Sequence, residues 1–148
     1  MDMAKYLSKD CILFIQEAPN RDRVLELLID AAHAAGKVKD KLRFAEAIAA
    51  RELVVSTGIG LGVAVPHAKL QTIDTFFMAI GIVEGGVDWE SIDGNPVHLV
   101  FLIGGPDNNQ KEYLHILARI VQVVRNKDKR ETLRNAKTSE EVLSLLSS

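Results

Sequence analysis

A histidine that follows a proline behind a short apolar run, Val63-Ala-Val65-Pro66-His67, is the residue of this chain best placed to do chemistry. Pro66 fixes its own φ and drives Val65 into an extended conformation, so the His67 imidazole is expected on a stiffened segment at a strand end. Near neutral pH such a ring keeps one unprotonated nitrogen, a nucleophile able to take a phosphoryl group. The phosphoramidate formed is reactive enough to pass that group onward. No metal or cofactor is needed, but cations and dipoles must surround the phosphoryl oxygens. The chain offers Arg51, the Thr57 hydroxyl, the amides of a glycine run and the imidazole of His115. The competing reading of His67 is a histidine satisfied in a structural role.

The glycine run is Ser56-Thr-Gly-Ile-Gly-Leu-Gly62, in which Gly58, Gly60 and Gly62 alternate. Such backbone can bring main-chain N–H groups close to an anion, or simply turn tightly, and spacing alone leaves both readings open. A dinucleotide fingerprint needs G-x-G-x-x-G before a helix, whereas these glycines lead toward a strand, which makes Glu84 downstream a coincidental match to a ribose ligand. No G-x-x-x-x-G-K-[ST] is present for a nucleoside triphosphate, and no G-x-S-x-G for a serine hydrolase. None of the four histidines pairs at i,i+3 or i,i+4 with another histidine or a helical acid in a zinc pattern, so no metal is expected. His98, inside an apolar run, fits a core or sheet-edge role. Asp88, Trp89 and Asp93 fit loop and packing roles, with a partner surface as the alternative for Trp89.

These residues must be positioned by an alternating set of elements. Cys11 to Ile15 reads as an early strand. A helix capped by Asn20 follows, with Val24, Leu27, Leu28, Ala31 and Ala35 as its stripe, Gly36 as its stop and His33 on its flank. Asp40 caps a second helix on which Phe44 and Ile48 share a face, which puts Arg51 at the helix end. There it either binds the last carbonyls over a buried stem or clamps an anion. Strands are expected at Phe76 to Val83 and Val97 to Ile103, with turn chemistry in Glu84-Gly-Gly86 and Asp93-Gly-Asn-Pro96. A long helix from about Asn109 to Arg125 presents Tyr113, Ile116, Leu117, Ile120, Val121 and Val124, with His115 off the centre of that stripe. Two short helices end the chain, the last opened by the capping box Thr138-Ser-Glu-Glu141 and burying Leu143 and Leu146. Helices before, between and after strands indicate an α/β sandwich, and the short link between the two middle strands implies some antiparallel pairing.

At 148 residues, 47% apolar and 26% charged, the chain fits a single folded domain over residues 1–148. A net charge of −2 with no basic face excludes a nucleic-acid footprint and favours a protein partner or small ligand. Cys11 is the only cysteine, which rules out an internal disulfide and fits a reducing compartment. The N-terminal segment lacks a signal-peptide core and no apolar run approaches about 18 residues, so a cytoplasmic protein without membrane insertion is expected.

Arg51-Glu-Leu and Ser56-Thr-Gly-Ile-Gly-Leu-Gly-Val-Ala-Val-Pro-His67 resemble the active-site region of phosphotransferase-system EIIA domains of the fructose/mannitol type, nitrogen-regulatory members included. The resemblance extends through Gly86-Val-Asp-Trp89, Asp93-Gly-Asn-Pro-Val97, Leu99 to Ile103 and Tyr113-Leu-His-Ile-Leu-Ala118, nearly the whole chain. It implies an α/β fold with a mixed sheet of about five strands flanked by helices on both faces. It further implies that His67 accepts a phosphoryl group, through Nε2, from an HPr-type phosphohistidine protein and hands it to an EIIB domain for sugar uptake. Arg51 and His115 would stand beside the phosphohistidine. A nitrogen-type regulator, whose phosphorylation state controls target binding, is the alternative output, and a non-catalytic interaction module on the same fold is an alternative of another class. Ala68 departs from the pattern, many members carrying glycine there, but its small methyl group is expected to leave activity in place.

Overall fold

The computed structural model describes residues 3–147. After two short 3-10 turns come β1 (Ile12–Ile15), α1 (Arg21–Ala34), α2 (Lys41–Val54), β2 (Gly58–Gly60), β3 (Val63–Ala64), β4 (His67–Lys69), β5 (Phe77–Val87), β6 (Val97–Gly105), α3 (Gln110–Val124), α4 (Lys127–Arg134) and α5 (Ser139–Leu146). The strands form one mixed sheet in the order β1-β5-β6-β3-β2, and β4 also pairs with β6. β5 and β6 are antiparallel, while β1 on β5, and β3 and β4 on β6, are parallel. The sheet thus has six strands rather than about five, because the segment around Pro66 is two short strands laid end to end along β6.

Side-chain alternation divides the core into two layers. Met78, Ile80 and Ile82 of β5 and Leu99, Phe101 and Ile103 of β6 pack on the side that also receives Ile116 and Ile120 of α3, Leu133 of α4 and Val142 of α5. Phe77, Ala79 and Val83 of β5 and Val100 and Leu102 of β6 face Leu28 and Ile29 of α1 and Phe44 and Ile48 of α2. Helices therefore flank both faces, as expected.

The helix starts follow from their caps. Asn20, Asp40 and Thr138 each accept a bond from the backbone N–H three residues on, at 3.0, 3.1 and 3.2 Å. The α1 stripe is rotated from the expected one: Val24, Leu25, Leu28, Ile29 and Ala32 are buried, whereas Leu27 and Ala31 are only partly covered. Glu84-Gly85-Gly86 is not a turn. β5 continues through it with a shift in its register against β6 between Ile82 and Val87, and the left-handed φ of Gly86, 74°, absorbs the irregularity. Gly94, also at φ 74°, makes the reversal instead.

Candidate active site

His67 opens β4 rather than closing a strand. Its register partner is Ile103, whose N–H also donates to the Pro66 carbonyl at 2.9 Å, while the Val65 N–H donates to the Thr57 carbonyl at 3.0 Å. The backbone on both sides of the imidazole is therefore anchored to neighbouring chain. Nδ1 lies 3.1 Å from the Val65 carbonyl oxygen. A carbonyl can only accept, so in the neutral ring Nδ1 carries the proton and Nε2 presents its lone pair. The side chain is half-buried.

Burial lowers the His67 pKa from its ordinary value of 6.5, since the charged ring loses hydration. The positive charges of Arg51 and Lys69 push the same way, against the Val65 carbonyl and the Glu52 carboxylate, which favour the imidazolium. The net effect keeps the nucleophilic, neutral form populated below pH 6.5. An NMR titration of the ring should therefore show a midpoint under 6.5, and a midpoint above it would contradict this balance.

The ring beside His67 belongs to Tyr113 of α3. The two centroids are 5.1 Å apart with planes inclined at 40°, within the range of a tilted aromatic contact. His115, expected at this place, is exposed. Two residues along an α-helix is a rotation of about 200°, so a helix that directs Tyr113 to the sheet directs His115 away from it. This corrects the assignment of His115 to the site.

Arg51 realises its helix-end reading. It lies in the last turn of α2 and its Nη1 donates to the Val55 carbonyl at 2.9 Å, as a helix-end arginine would. Its charge nevertheless acts on both His67 and Tyr113. The guanidinium keeps further N–H donors for an anion. Lys69 was not singled out by the sequence reading. It lies two residues beyond His67 on β4, hence on the same face, with Nζ 4.5 Å from the Tyr113 centroid and hydrogen-bonded to Gln110. Period-two alternation from His67 is the signal that could have found it.

Thr57 and the glycines need correction as phosphate-loop support. Thr57 is buried, its hydroxyl donates to Glu52 Oε2 at 2.7 Å and accepts from Trp89 Nε1 at 3.0 Å, and its N–H donates to Glu52 Oε1 at 2.8 Å. Arg21 Nη1 stands 3.7 Å from the same carboxylate and donates to the Trp89 carbonyl at 3.2 Å. This buried cluster ties α1, the end of α2 and the Trp89 segment together, and it uses the Thr57 hydroxyl for structure. Trp89 itself is 0% exposed, which overturns its reading as a partner surface. Gly58, Gly60 and Gly62 build the β2–β3 hairpin: Gly60, Leu61 and Gly62 have φ of 93°, 60° and 76°. The Gly58 N–H donates to Ser56 Oγ at 3.0 Å and the Leu61 N–H to Asp93 Oδ2 at 3.0 Å. The tight-turn reading of the run is the one realised. His98 donates from or accepts at Nδ1 with the Val83 carbonyl oxygen, 3.0 Å away; that oxygen can only accept, so Nδ1 is the donor, and the ring is a sheet residue on a central strand.

Among the described residues no group of three or more histidine, cysteine, aspartate or glutamate side chains is placed to hold a metal, and no helix is long and apolar enough to cross a membrane.

Residues 5–148 match the family model described as "Phosphoenolpyruvate-dependent sugar phosphotransferase system, EIIA 2". The chain is 32% identical over 146 residues to the "PTS system fructose-specific EIIABC component" of Bacillus subtilis, with 99% of this chain covered; it spans only 23% of that longer protein. It is 31% identical over 147 residues to the "Nitrogen regulatory protein" of Bradyrhizobium diazoefficiens, covering 99% of this chain and 95% of the relative. Among solved structures, nitrogen regulatory protein IIA-Ntr from Neisseria meningitidis superposes with a TM-score of 0.90 at 27% identity, over 97% of each chain.

Proposed function

The chain belongs to the EIIA 2 family of the phosphoenolpyruvate-dependent sugar phosphotransferase system, and from that premise we propose that its phosphoryl acceptor is Nε2 of His67, charged by an HPr-type phosphohistidine protein and discharged onto an EIIB domain. The family is one of phosphoryl-transfer components. The observation that carries the assignment to His67 is that its Nδ1 is held by the Val65 carbonyl, leaving Nε2 free, while the charges of Arg51 and Lys69 act on the same ring.

The transfer balances on this geometry. As the Nε2–P bond forms, the P–N bond of the donor breaks and its electron pair returns to the donor nitrogen. The His67 ring keeps its Nδ1 proton and gains a positive charge, which the Val65 carbonyl at 3.1 Å stabilises. In the onward step the same retained proton lets the ring depart from phosphorus as neutral imidazole rather than imidazolate. Arg51 binds the phosphoryl oxygens, whose charge is about −2 near neutral pH.

A protein donor fits the surroundings better than a small one. Leu53, Val54 and Val55, which follow Arg51 at the end of α2, and Leu114, which follows Tyr113 on α3, are all at least half exposed, and apolar side chains left in water fit an apposed protein surface. A second reading, favoured by the likeness to IIA-Ntr, is a regulator in which the phosphoryl charge on His67 switches target binding. Both readings require the same acceptor.

Incubation with a phosphorylated HPr-type carrier tests the acceptor role. Label should enter the chain as an acid-labile, base-stable adduct and leave again when an accepting EIIB domain is added. A chain that takes up no label refutes the proposal, and one that retains it before every EIIB domain but binds regulatory targets differently favours the second reading. Arg51→Ala should slow uptake by roughly 10- to 100-fold, the loss of one charge-assisted contact. His115→Ala should leave the rate within about twofold, as for an exposed side chain outside the site. Single-turnover rates check both, and a large loss in the His115 variant would restore that residue to the mechanism.

A further inference from the structure

We propose that Lys69 is a second phosphoryl-binding cation of this site, and that the Tyr113 ring holds its ammonium and the His67 imidazole in register. The inference rests on the reading of His67 as acceptor and adds residues to it. His67 and Lys69 leave the same face of β4, whose register with Ile103, Gly104 and Gly105 of β6 fixes their separation along the strand. Tyr113, only 6% exposed, approaches both: its centroid is 5.1 Å from that of His67 and 4.5 Å from Lys69 Nζ. An ammonium over an aromatic face is held by the ring's electron-rich centre.

Lys69 Nζ has three N–H donors. Gln110 takes one and the Tyr113 face takes a second, which leaves one for a phosphoryl oxygen. Arg51 comes from α2 and Lys69 from β4, beside α3, so the cations reach the acceptor from different elements. Two positive charges match the roughly two negative charges of the transferred group. Tyr113 acts through its ring and changes no bond. Lys69 likewise keeps all its protons during transfer, and its role is to bind the oxygens.

The test compares the wild type with Lys69→Met, Lys69→Arg, Tyr113→Phe and Tyr113→Leu in single-turnover transfer from a phosphorylated HPr-type carrier. Lys69→Met should slow transfer by about tenfold, and Lys69→Arg should recover most of it. Tyr113→Phe should stay close to wild type, and Tyr113→Leu should lose rate with Lys69→Met. A wild-type rate in Lys69→Met overturns the proposal. Chemical phosphorylation of His67 with phosphoramidate supplies an arm that needs no carrier: in a ³¹P titration of the adduct, loss of Lys69 should move the phosphoryl ionisation to higher pH, because a nearby ammonium favours the dianion. No difference there also overturns it. Failure of the wild type to accept from any carrier, with the ³¹P difference present, would instead refute the donor assignment and leave the lysine's role standing.

Discussion

Replacing His67 by alanine removes phosphoryl uptake to background, a loss on the order of 10³-fold or more, as expected when a covalent acceptor is deleted. The other three histidines offer no substitute: His33 and His115 are exposed on helices, and His98, whose Nδ1 also meets a carbonyl, turns its Nε2 toward the backbone of Gly86. The fold should persist, because β4 is held to β6 by main-chain pairing and the His67 side chain is only half-buried. A stability loss below about 2 kcal/mol is expected. The paired measurement is label uptake beside the far-UV circular dichroism melt. Label on a folded His67→Ala protein would move the acceptor to another residue.

Trp89→Ala should destabilise the chain by about 3–5 kcal/mol, the range for emptying a fully buried large side chain. Trp89 is 0% exposed, and its Nε1 supplies the Thr57 hydroxyl with a donor at 3.0 Å. Truncation would open a cavity beside the Glu52 carboxylate and loosen the bonds that join Thr57 to the end of α2. Trp89→Phe keeps most of the volume and should cost about 1–3 kcal/mol, dominated by the lost hydrogen bond. Urea unfolding followed at 222 nm measures both, since Trp89 is the only tryptophan and its fluorescence disappears with it. A change under about 1 kcal/mol in Trp89→Ala would mean that the cluster is not a structural keystone.

The stiff backbone around His67, the helix starts and the two long strands were legible because their signal is local. Pro66 constrains its own neighbours, a cap needs only a side chain three residues from an N–H, and the apolar runs of β5 and β6 announce themselves. What stayed hidden depends on partners far along the chain. The Gly85-Gly86 pair has turn composition, yet the Gly85 N–H donates to the Gln16 carbonyl at 2.9 Å and the strand resumes its pairing with β6 at Val87. The α1 stripe was placed one step off, although the exposed Asp22, Glu26, Asp30 and His33 already mark its solvent face. The resemblance drew His115 to the site, although the sequence already put it off the centre of the stripe that Tyr113, Ile116 and Ile120 form. Thr57 lost its expected role to Glu52 and Trp89, five and 32 residues away, a contact no spacing rule reports.

The six-strand sheet places His67 where β3 ends, Pro66 interrupts and β4 resumes along the same edge of β6. On the proposed reading of His67 as acceptor, an imidazole referenced to a central strand in this way has little room to travel on taking up a phosphoryl group. The two forms of the protein should then superpose almost atom for atom, and a partner that tells them apart must do so by sensing electrostatic potential rather than contour. Discrimination of that kind weakens as ions are added to the solution, so added salt should narrow the difference in a partner's affinity for the two forms.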